Sequence, residues 1–360
     1  MRKRRSSVFR VRIPYHCEAG ADSIVKLLTI AIPSYNSQEY LSHAVESLLP
    51  GGDEVEILIV DDGSTDRTAQ IADAYAQQHP GVVRAIHKPN GGHGDAVMAG
   101  LREATGLYFK VVDSDDWVDA QAFARVLDTL RAFADAPLDL LICNYVYDKV
   151  GAARPYVMNY RRVLPRGQVF GWEETKRFHK GRYILMHSVI YRTQLLRECR
   201  MTLPRHTFYV DDLYVYVPLK DVKRIYYLDV DFYHYFIGRE DQSVQEQVMI
   251  RRIDQYVRVN RLLFTQVDIS RIGDPHLRRY MLNFLEIITA VSSVLLIKSG
   301  TPEHLRMKDE LWRFIEQESP YAYRRLRRRI LGRILNFNTR AGRGVAKLVY
   351  TVSRMIYGFN

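Results

Sequence analysis

From Leu27 to Val112 the chain repeats one cycle of apolar run, turn, stretch of helical period and stop. Leu27 to Ile32 is a continuous apolar run suited to a strand covered on both faces, and Pro33 stops it. Asn36 offers a helix cap with Glu39 at the capping-box position, and Tyr40, Leu41, Ala44, Val45, Leu48 and Leu49 then recur at helical spacing until Pro50-Gly51-Gly52. The cycle predicts further strands at Val55–Val60, Val82–His87 and Tyr108–Val112, with helices at Asp66–Gln78 and His93–Ala104 between them. Such alternation, with short connections, predicts an α/β fold: a mostly parallel sheet flanked by helices, with ligands at the carboxyl ends of the strands.

Beyond Asp119 the pattern predicts a helix over Ala120–Phe133 and a strand over Leu138–Tyr145, followed by a Tyr- and Arg-rich stretch without clear period and helices after Gln247. The organisation expected is a basic lead over 1–25, an α/β domain over 26–245, a helical region over 246–318 and a basic amphipathic tail over 319–360. Met281–Ile297 is the most apolar later stretch; it carries Asn283 and Glu286, which favours a buried or interfacial helix over one that crosses a membrane.

Charge is unevenly placed. Of the net +11, the tail from Ser319 contributes Arg324, Arg325, Arg327, Arg328, Arg329, Arg333, Arg340, Arg343, Lys347 and Arg354 with no Asp or Glu. Interleaved Leu326, Ile330, Leu331, Ile334, Leu335 and Phe337 suit an amphipathic helix on an anionic lipid surface, the alternative being a basic helix packed on its own protein. No nucleic-acid reading motif accompanies the tail. Cys17, Cys143 and Cys199 are odd in number and far apart, which gives neither a disulfide framework nor a metal pair and fits a reducing compartment. Met1-Arg2-Lys3-Arg4-Arg5 lacks a following apolar stretch, so the expectation is a cytoplasmic protein, peripheral on the inner face of the cell membrane.

Two acidic groups fall at predicted strand ends: Asp61-Asp62 and Asp113-Ser114-Asp115-Asp116. Clustered carboxylates at one sheet edge repel one another unless a cation or a donor holds them. Asp113 and Asp115, two apart on an extended segment, point the same way and suit a divalent cation, while Asp116 faces elsewhere with Trp117 buried beside it. Helix capping is the competing reading for both groups, and Asp66 is itself a capping candidate. Asp62 is a candidate acceptor for a base or ribose, with Gly63 permitting the turn, and Asn90-Gly91-Gly92-His93 precedes a helix where backbone N–H groups meet phosphate. No G-x-G-x-x-G follows the first strand, which argues against a dinucleotide-binding redox enzyme. Asp211-Asp212 is a pair whose mutual repulsion raises one pKa, as a general base requires; His187 and His206 are spare candidates.

Ile32-Pro33-Ser34-Tyr35-Asn36, Val60-Asp61-Asp62-Gly63-Ser64-Thr65-Asp66 and Asp113-Ser114-Asp115-Asp116-Trp117, at these separations, resemble glycosyltransferase family 2, the inverting enzymes of GT-A fold. The resemblance implies that Pro33, Tyr35, Asn36, Asp62 and Asp113 hold the nucleotide of a sugar donor, commonly uridine diphosphate. It implies further that Asp113 and Asp115 hold Mg or Mn at the diphosphate, that Asp212 is the base and that Asp211 binds the acceptor. In the family the acidic pair is usually Glu-Asp, so Asp211 is a departure. Tyr233-His234-Tyr235 through Arg239 and Ser243 resembles the segment after the base, which makes Arg239 a diphosphate candidate. The Q-x-x-R-W signature of processive synthases is missing, since Gln247 is followed by Arg251 but no Trp. The expectation is a non-processive transferase that moves one sugar onto a glycan or lipid-linked hydroxyl. Competing classes are a nucleotidyltransferase acting on sugar phosphates and a non-catalytic nucleotide-sugar or membrane-binding protein.

Overall fold

A computed structural model describes residues 26–149, 151, 155–179, 183–237 and 245–336. The predicted cycle is present. β1 (Leu28–Ser34), β2 (Val55–Asp61), β3 (Val83–His87) and β4 (Tyr108–Val111) form a parallel block in the order β3-β2-β1-β4. β1 runs in register with β2 from Leu28 opposite Val55 to Ser34 opposite Asp61. All residues of β1, β2 and β4 are buried, which is why these strands read as unbroken apolar runs. Pro33 does not end β1: its strand runs on to Ser34, so Pro33 lies inside it and is buried.

The sheet continues through β5 (Trp117–Val118), β6 (Leu140–Lys149), β7 (Tyr156–Met158), β8 (Val169–Phe170), β9 (Val189–Arg192) and β10 (Ile225–Ile237). Short β9 is antiparallel to both β4 and β6, so β6 again runs with the parallel block, and β10 pairs parallel with β6. The long strands therefore share one direction, and the short ones, β5, β7, β8 and β9, oppose them.

Helices α1 (Leu41–Leu48), α2 (Thr68–Gln78), α3 (His93–Glu103) and α4 (Ala120–Ala132) cover the block; α5 (Thr193–Glu198) and α6 (Asp211–Tyr216) follow β9. The α4 start is capped by Asp119, whose side chain accepts from the Ala122 N–H at 2.8 Å. Asn36 does not cap α1, whose first turn has no side-chain cap.

The C-terminal part is helical: α7 (Glu246–Arg251), α8 (Ile253–Gln266), α9 (Pro275–Ser299), α10 (Pro302–Glu318), α11 (Pro320–Arg328) and α12 (Ile330–Leu335). One cluster of buried side chains runs from Leu28 in the sheet through Leu285 to Leu326, so the change near residue 245 is from sheet to helix, not a gap in the core. α9 is long and apolar enough to cross a membrane by length and composition, and most of it is buried against the protein. Its polar residues are met inside: Ser292 accepts from Asn260 Nδ2 at 2.9 Å, Ser293 from Trp312 Nε1 at 3.1 Å, and Glu286 from Arg329 Nη1 at 2.5 Å.

The described part of the basic tail packs on the protein. Ala322 and Leu326 of α11 and Leu335 of α12 are buried, whereas Arg324, Arg325 and Arg328 are exposed beside Ile330, which is 74% exposed. Most of the apolar stripe over 320–336 thus packs on the protein, because α9 and α10 offer it a hydrophobic surface. The lead over 1–25, with Cys17, and the tail over 337–360, with Phe337, lie outside the described residues, as do Arg239 and Ser243. Cys143 and Cys199 are buried free thiols.

Candidate active site

Three sequence motifs meet at the carboxyl rim of β1, β2 and β4 because side chains of the first reach the other two. Asn36, at φ 49°, donates its N–H to Ser64 Oγ at 3.0 Å and accepts from the Thr65 N–H at 2.9 Å. The Ser37 N–H donates to Thr68 Oγ1 at 2.8 Å, and Ser37 Oγ lies 2.7 Å from Ser114 Oγ. Asp66 accepts from the N–H groups of both Thr68 and Gln38. The small polar residues of each motif are the stitches of one surface, and Tyr35 stands at its edge, 52% exposed.

Residues 113–116 are not extended. The Asp116 N–H donates to the Asp113 carbonyl at 3.0 Å, closing a turn that brings Asp116 to the side of Asp113. Asp116 is fully buried and accepts from Tyr233 Oη at 2.6 Å and the Phe236 N–H at 2.9 Å. Burial together with the charges of Asp115 and Asp113 pushes its carboxyl well above the usual range. Trp117 is half-buried, packed between the rings of His43 and His234.

Oxygens of Asp113 and Asp116 and one ring nitrogen of His187 lie within 4.8 Å of one another. His187 is 9% exposed, stacked on Tyr233 and Tyr235 at 4.8 and 4.4 Å, and its Nδ1 is buried without a hydrogen-bond partner. Burial lowers the His187 pKa to about 3, so the ring is a neutral ligand. Two carboxylates and an orphaned neutral imidazole fit a divalent cation, and the imidazole suits Mn more than Mg. Asp115 is half-buried on the same turn.

His93, the first residue of α3, sets its Nε2 2.8 Å from Asp113 Oδ1. Burial opposes the imidazolium, yet Asp113, Asp211 and Asp115 outweigh it and raise the His93 pKa; Asp113 is lowered despite its own burial, chiefly by His93. Beneath them Lys110 of β4 is fully buried, donating to the carbonyls of Met186 at 3.1 Å and His187 at 2.9 Å, with Nζ 4.6 Å from the Tyr233 ring centroid. Burial brings it down to about 7.

Asp62, 2% exposed, faces inward: its carboxylate accepts from Lys88 Nζ at 2.5 Å and from the N–H groups of Gly91 and Gly92 at 2.9 and 2.7 Å. It fixes the glycine loop that leads into His93. Gly92 has φ 83°, and a Cβ there would meet the His206 backbone nitrogen at 3.0 Å. His206 itself is exposed on the loop before α6, where its N–H bonds the Gly91 carbonyl.

Asp211 and Asp212 open α6, where a helix start favours negative charge. Asp212 is 7% exposed, and burial with the charge of Asp211 raises its carboxyl well above the usual range. Asp211 is more open; burial and Asp113 raise it while His93 opposes them, so the acid pair lies within electrostatic reach of the Asp113 turn. His93 and Lys110 are the residues the sequence reading missed. A lysine centred in an otherwise apolar strand was the available signal for the second; the first was read only as part of the glycine loop, for its backbone and not for its ring.

Residues 29–191 match the model of Glycosyl transferase family 2. Among curated proteins the chain is 28% identical over 218 residues to the uncharacterized glycosyltransferase EpsJ of Bacillus subtilis, covering 59% of this chain and 61% of that one. It is 37% identical over 128 residues to the glycosyltransferase GlyG of Streptococcus pneumoniae, covering 34% and 41%. It is 25% identical over 261 residues to the poly(ribitol-phosphate) beta-N-acetylglucosaminyltransferase TarS of Staphylococcus aureus, covering 71% and 43%. In each case the match spans less than two thirds of the relative's own length. The fold is similar to that of TarS residues 1–349, with a TM-score of 0.65 at 19% identity over 91% of this chain and 92% of that one; with UDP-GlcNAc bound to TarS the score is 0.67 at 20% identity over the same shares. With the motif order, the sheet and the family match in agreement, residues 29–191 are a glycosyltransferase family 2 domain, and the fold is GT-A.

Proposed function

We propose that the protein transfers a single sugar from a nucleotide-diphosphate donor, a UDP-sugar, to a hydroxyl of a glycan or lipid-linked acceptor, with inversion at the anomeric carbon. The observation that carries this is the contact chain from the Asp113 turn to the loop before the acid pair: Asp113 Oδ1 lies 2.8 Å from His93 Nε2, and the Gly91 carbonyl just before His93 accepts from the His206 N–H. Tyr35, Asn36 and Asp113 border the nucleotide in this reading, while buried Pro33 and Asp62 shape its floor. Asp113, Asp116 and His187 are the residues that would hold Mg or Mn, with Asp115 of the same turn as the ligand the family resemblance adds. The cation, when bound, supplies positive charge against the diphosphate leaving group. Asp212, with its raised pKa, takes the proton from the acceptor hydroxyl, whose oxygen attacks the anomeric carbon from the face opposite the diphosphate. Asp211 accepts from the acceptor, and its charge acts on both Asp212 and His93.

The test is release of free UDP from a panel of UDP-sugars with Mn and a mixed acceptor pool. Transfer by the wild type that is absent in Asp212→Asn supports the reading; equal release by both overturns it. A nucleotidyltransferase would instead release pyrophosphate from a triphosphate, and Ser34-Tyr35-Asn36 lacks the basic, glycine-rich loop such chemistry uses.

The second part of the reading is location: a cytoplasmic protein held on the anionic inner face of the cell membrane by exposed Arg324, Arg325, Arg328 and Ile330 with the basic residues that follow. Truncation at Pro320 would strip Ala322 and Leu326 from the core, so charge removal is the cleaner test. Arg324→Gln/Arg325→Gln/Arg328→Gln should lose binding to phosphatidylserine vesicles; undiminished binding would remove this part.

A further inference from the structure

The ladder between β4 and β9 ends at Phe109 opposite Tyr191. Beyond it the two segments are joined by a side chain: Lys110 donates from Nζ to the carbonyls of Met186 at 3.1 Å and His187 at 2.9 Å. Both carbonyls belong to the short 3₁₀ turn Met186–Ser188, which leads directly into β9 and carries the His187 ring. Buried carbonyls need donors, but a fully buried amine is an expensive way to supply them. Balancing the acids does not account for it, since Lys110 makes no ion pair with a carboxylate among the described residues.

The remaining contact of Lys110 is the face of Tyr233, with Nζ 4.6 Å from the ring centroid. Tyr233 is what holds the acids: its Oη donates to Asp116 at 2.6 Å and accepts from the Asp113 N–H at 3.2 Å, and its ring stacks on His187 at 4.8 Å. The three members of the candidate cation set therefore hang on two groups that touch, the carboxylates on Tyr233 and the imidazole on the turn gripped by Lys110. A metal-ligating histidine is ordinarily aimed by a hydrogen bond to its second ring nitrogen. Among the described residues no hydrogen bond reaches the His187 ring, so its direction is set by stacking and by the backbone beneath it.

We infer that Lys110 is a positioning residue of the cation site: by gripping the carbonyls of Met186 and His187 it fixes the 186–188 turn and so holds the imidazole beside Asp113 and Asp116. This rests on the cation reading above and assigns the residue that sets its nitrogen ligand.

The test titrates Mn into the full-length protein at one neutral pH, reads free Mn by electron paramagnetic resonance, and reads the bound ion by spin-echo modulation from nitrogen, the signature of an imidazole on the metal. Cooperative thermal melts show which variants fold. The wild type should bind Mn with nitrogen modulation, and His187→Gln should bind it more weakly and without modulation. Lys110→Met should weaken Mn by about tenfold or more and, at saturating Mn, lose the modulation although His187 is intact. A lysine that only ties β4 to the turn would lower Tm and leave the modulation in place. Lys110→Gln keeps a shorter amide donor, should move both readings in the same direction by less, and carries the test if Lys110→Met does not fold. The inference is overturned by wild-type modulation in a folded Lys110 variant, or by tighter Mn binding in Lys110→Met, which would make the lysine a counter-charge. Modulation kept in His187→Gln and lost in His93→Gln would overturn it too, by placing the other imidazole on the metal. Bound Mn without nitrogen modulation in the wild type strikes this inference alone, whereas a wild type that binds no Mn strikes the cation reading itself.

Discussion

His93 Nε2 lies 2.8 Å from Asp113 Oδ1, joining the first residue of α3 to the first carboxylate of the β4 turn. Through this contact a helix that starts after the glycine loop is tied to the acids at the strand end. The same imidazolium is favoured by the charge of Asp211, so one titrating ring responds to both acidic sets.

The pair should leave a pH signature in metal-free protein. The His93 pKa is raised on folding, so its contribution is present below its unfolded pKa and is lost as pH rises through the folded one; the Asp113 pKa is lowered, so its contribution is lost as pH falls through that value. The Tm gap between wild type and His93→Gln should therefore be widest between about pH 4 and 6.5 and narrow on either side. With 34% of the His93 side chain open to solvent the gap is modest. Thermal melts in chelator across pH 3 to 9, by order of magnitude, check it; a gap that widens towards high pH contradicts it.

Asp212→Asn should lower transfer by about 10² to 10⁴ while sparing UDP binding. Because burial and Asp211 hold the Asp212 carboxyl well above the usual range, the rising limb of the wild-type pH–rate profile should lie above about pH 4. Asp211→Asn should retain transfer, raise the acceptor KM and shift that limb downward. An unshifted limb in Asp211→Asn would mean the two carboxylates do not interact.

Lys110 is fully buried and its pKa falls on folding to about 7, so between there and its unfolded value the unfolded chain binds more protons. Wild-type stability should climb from about pH 7 towards pH 10 relative to Lys110→Met. Urea unfolding at several pH values measures this, and parallel curves for the two proteins would show that the buried amine does not titrate in that window.

Arg329 donates to Glu286 at 2.5 Å and to Asn283 at 2.7 Å where α11 gives way to α12. Glu286 is 3% exposed, so Arg329→Met takes a charged donor away from a buried carboxylate and should cost about 2–4 kcal/mol. Arg329→Met/Glu286→Leu should recover most of that. A double variant no more stable than the single one would place the cost in lost packing.

The first half of the fold was legible because its strands are covered on both faces and its helices carry one apolar stripe. Ends moved by a residue or two where a side chain intervened: α2 starts at Thr68, not Asp66, since Asp66 is spent capping Thr68. β10 was hidden because register shifts between Leu228, Asp231 and Tyr233 break the alternation that marks a strand. The Asp113–Asp116 turn was read as extended, as periodicity carries no turn geometry; the i to i+3 bond that brings Asp116 beside Asp113 is a three-dimensional fact. His187 was visible only as a spare histidine, since stacking on Tyr233 and Tyr235 brings together residues more than forty positions apart in sequence. The tail's stripe was legible, but whether lipid or α9 covers it depended on a surface that the tail sequence does not contain.

The most direct test of the central claim is calorimetric titration of UDP into the protein with Mn and again with chelator. The account predicts binding with Mn, loss of binding in chelator and in both Asp113→Asn and Asp115→Asn, and retained binding in Asp212→Asn. UDP affinity that is the same with and without the cation, and unmoved by Asp113→Asn and Asp115→Asn, would contradict it.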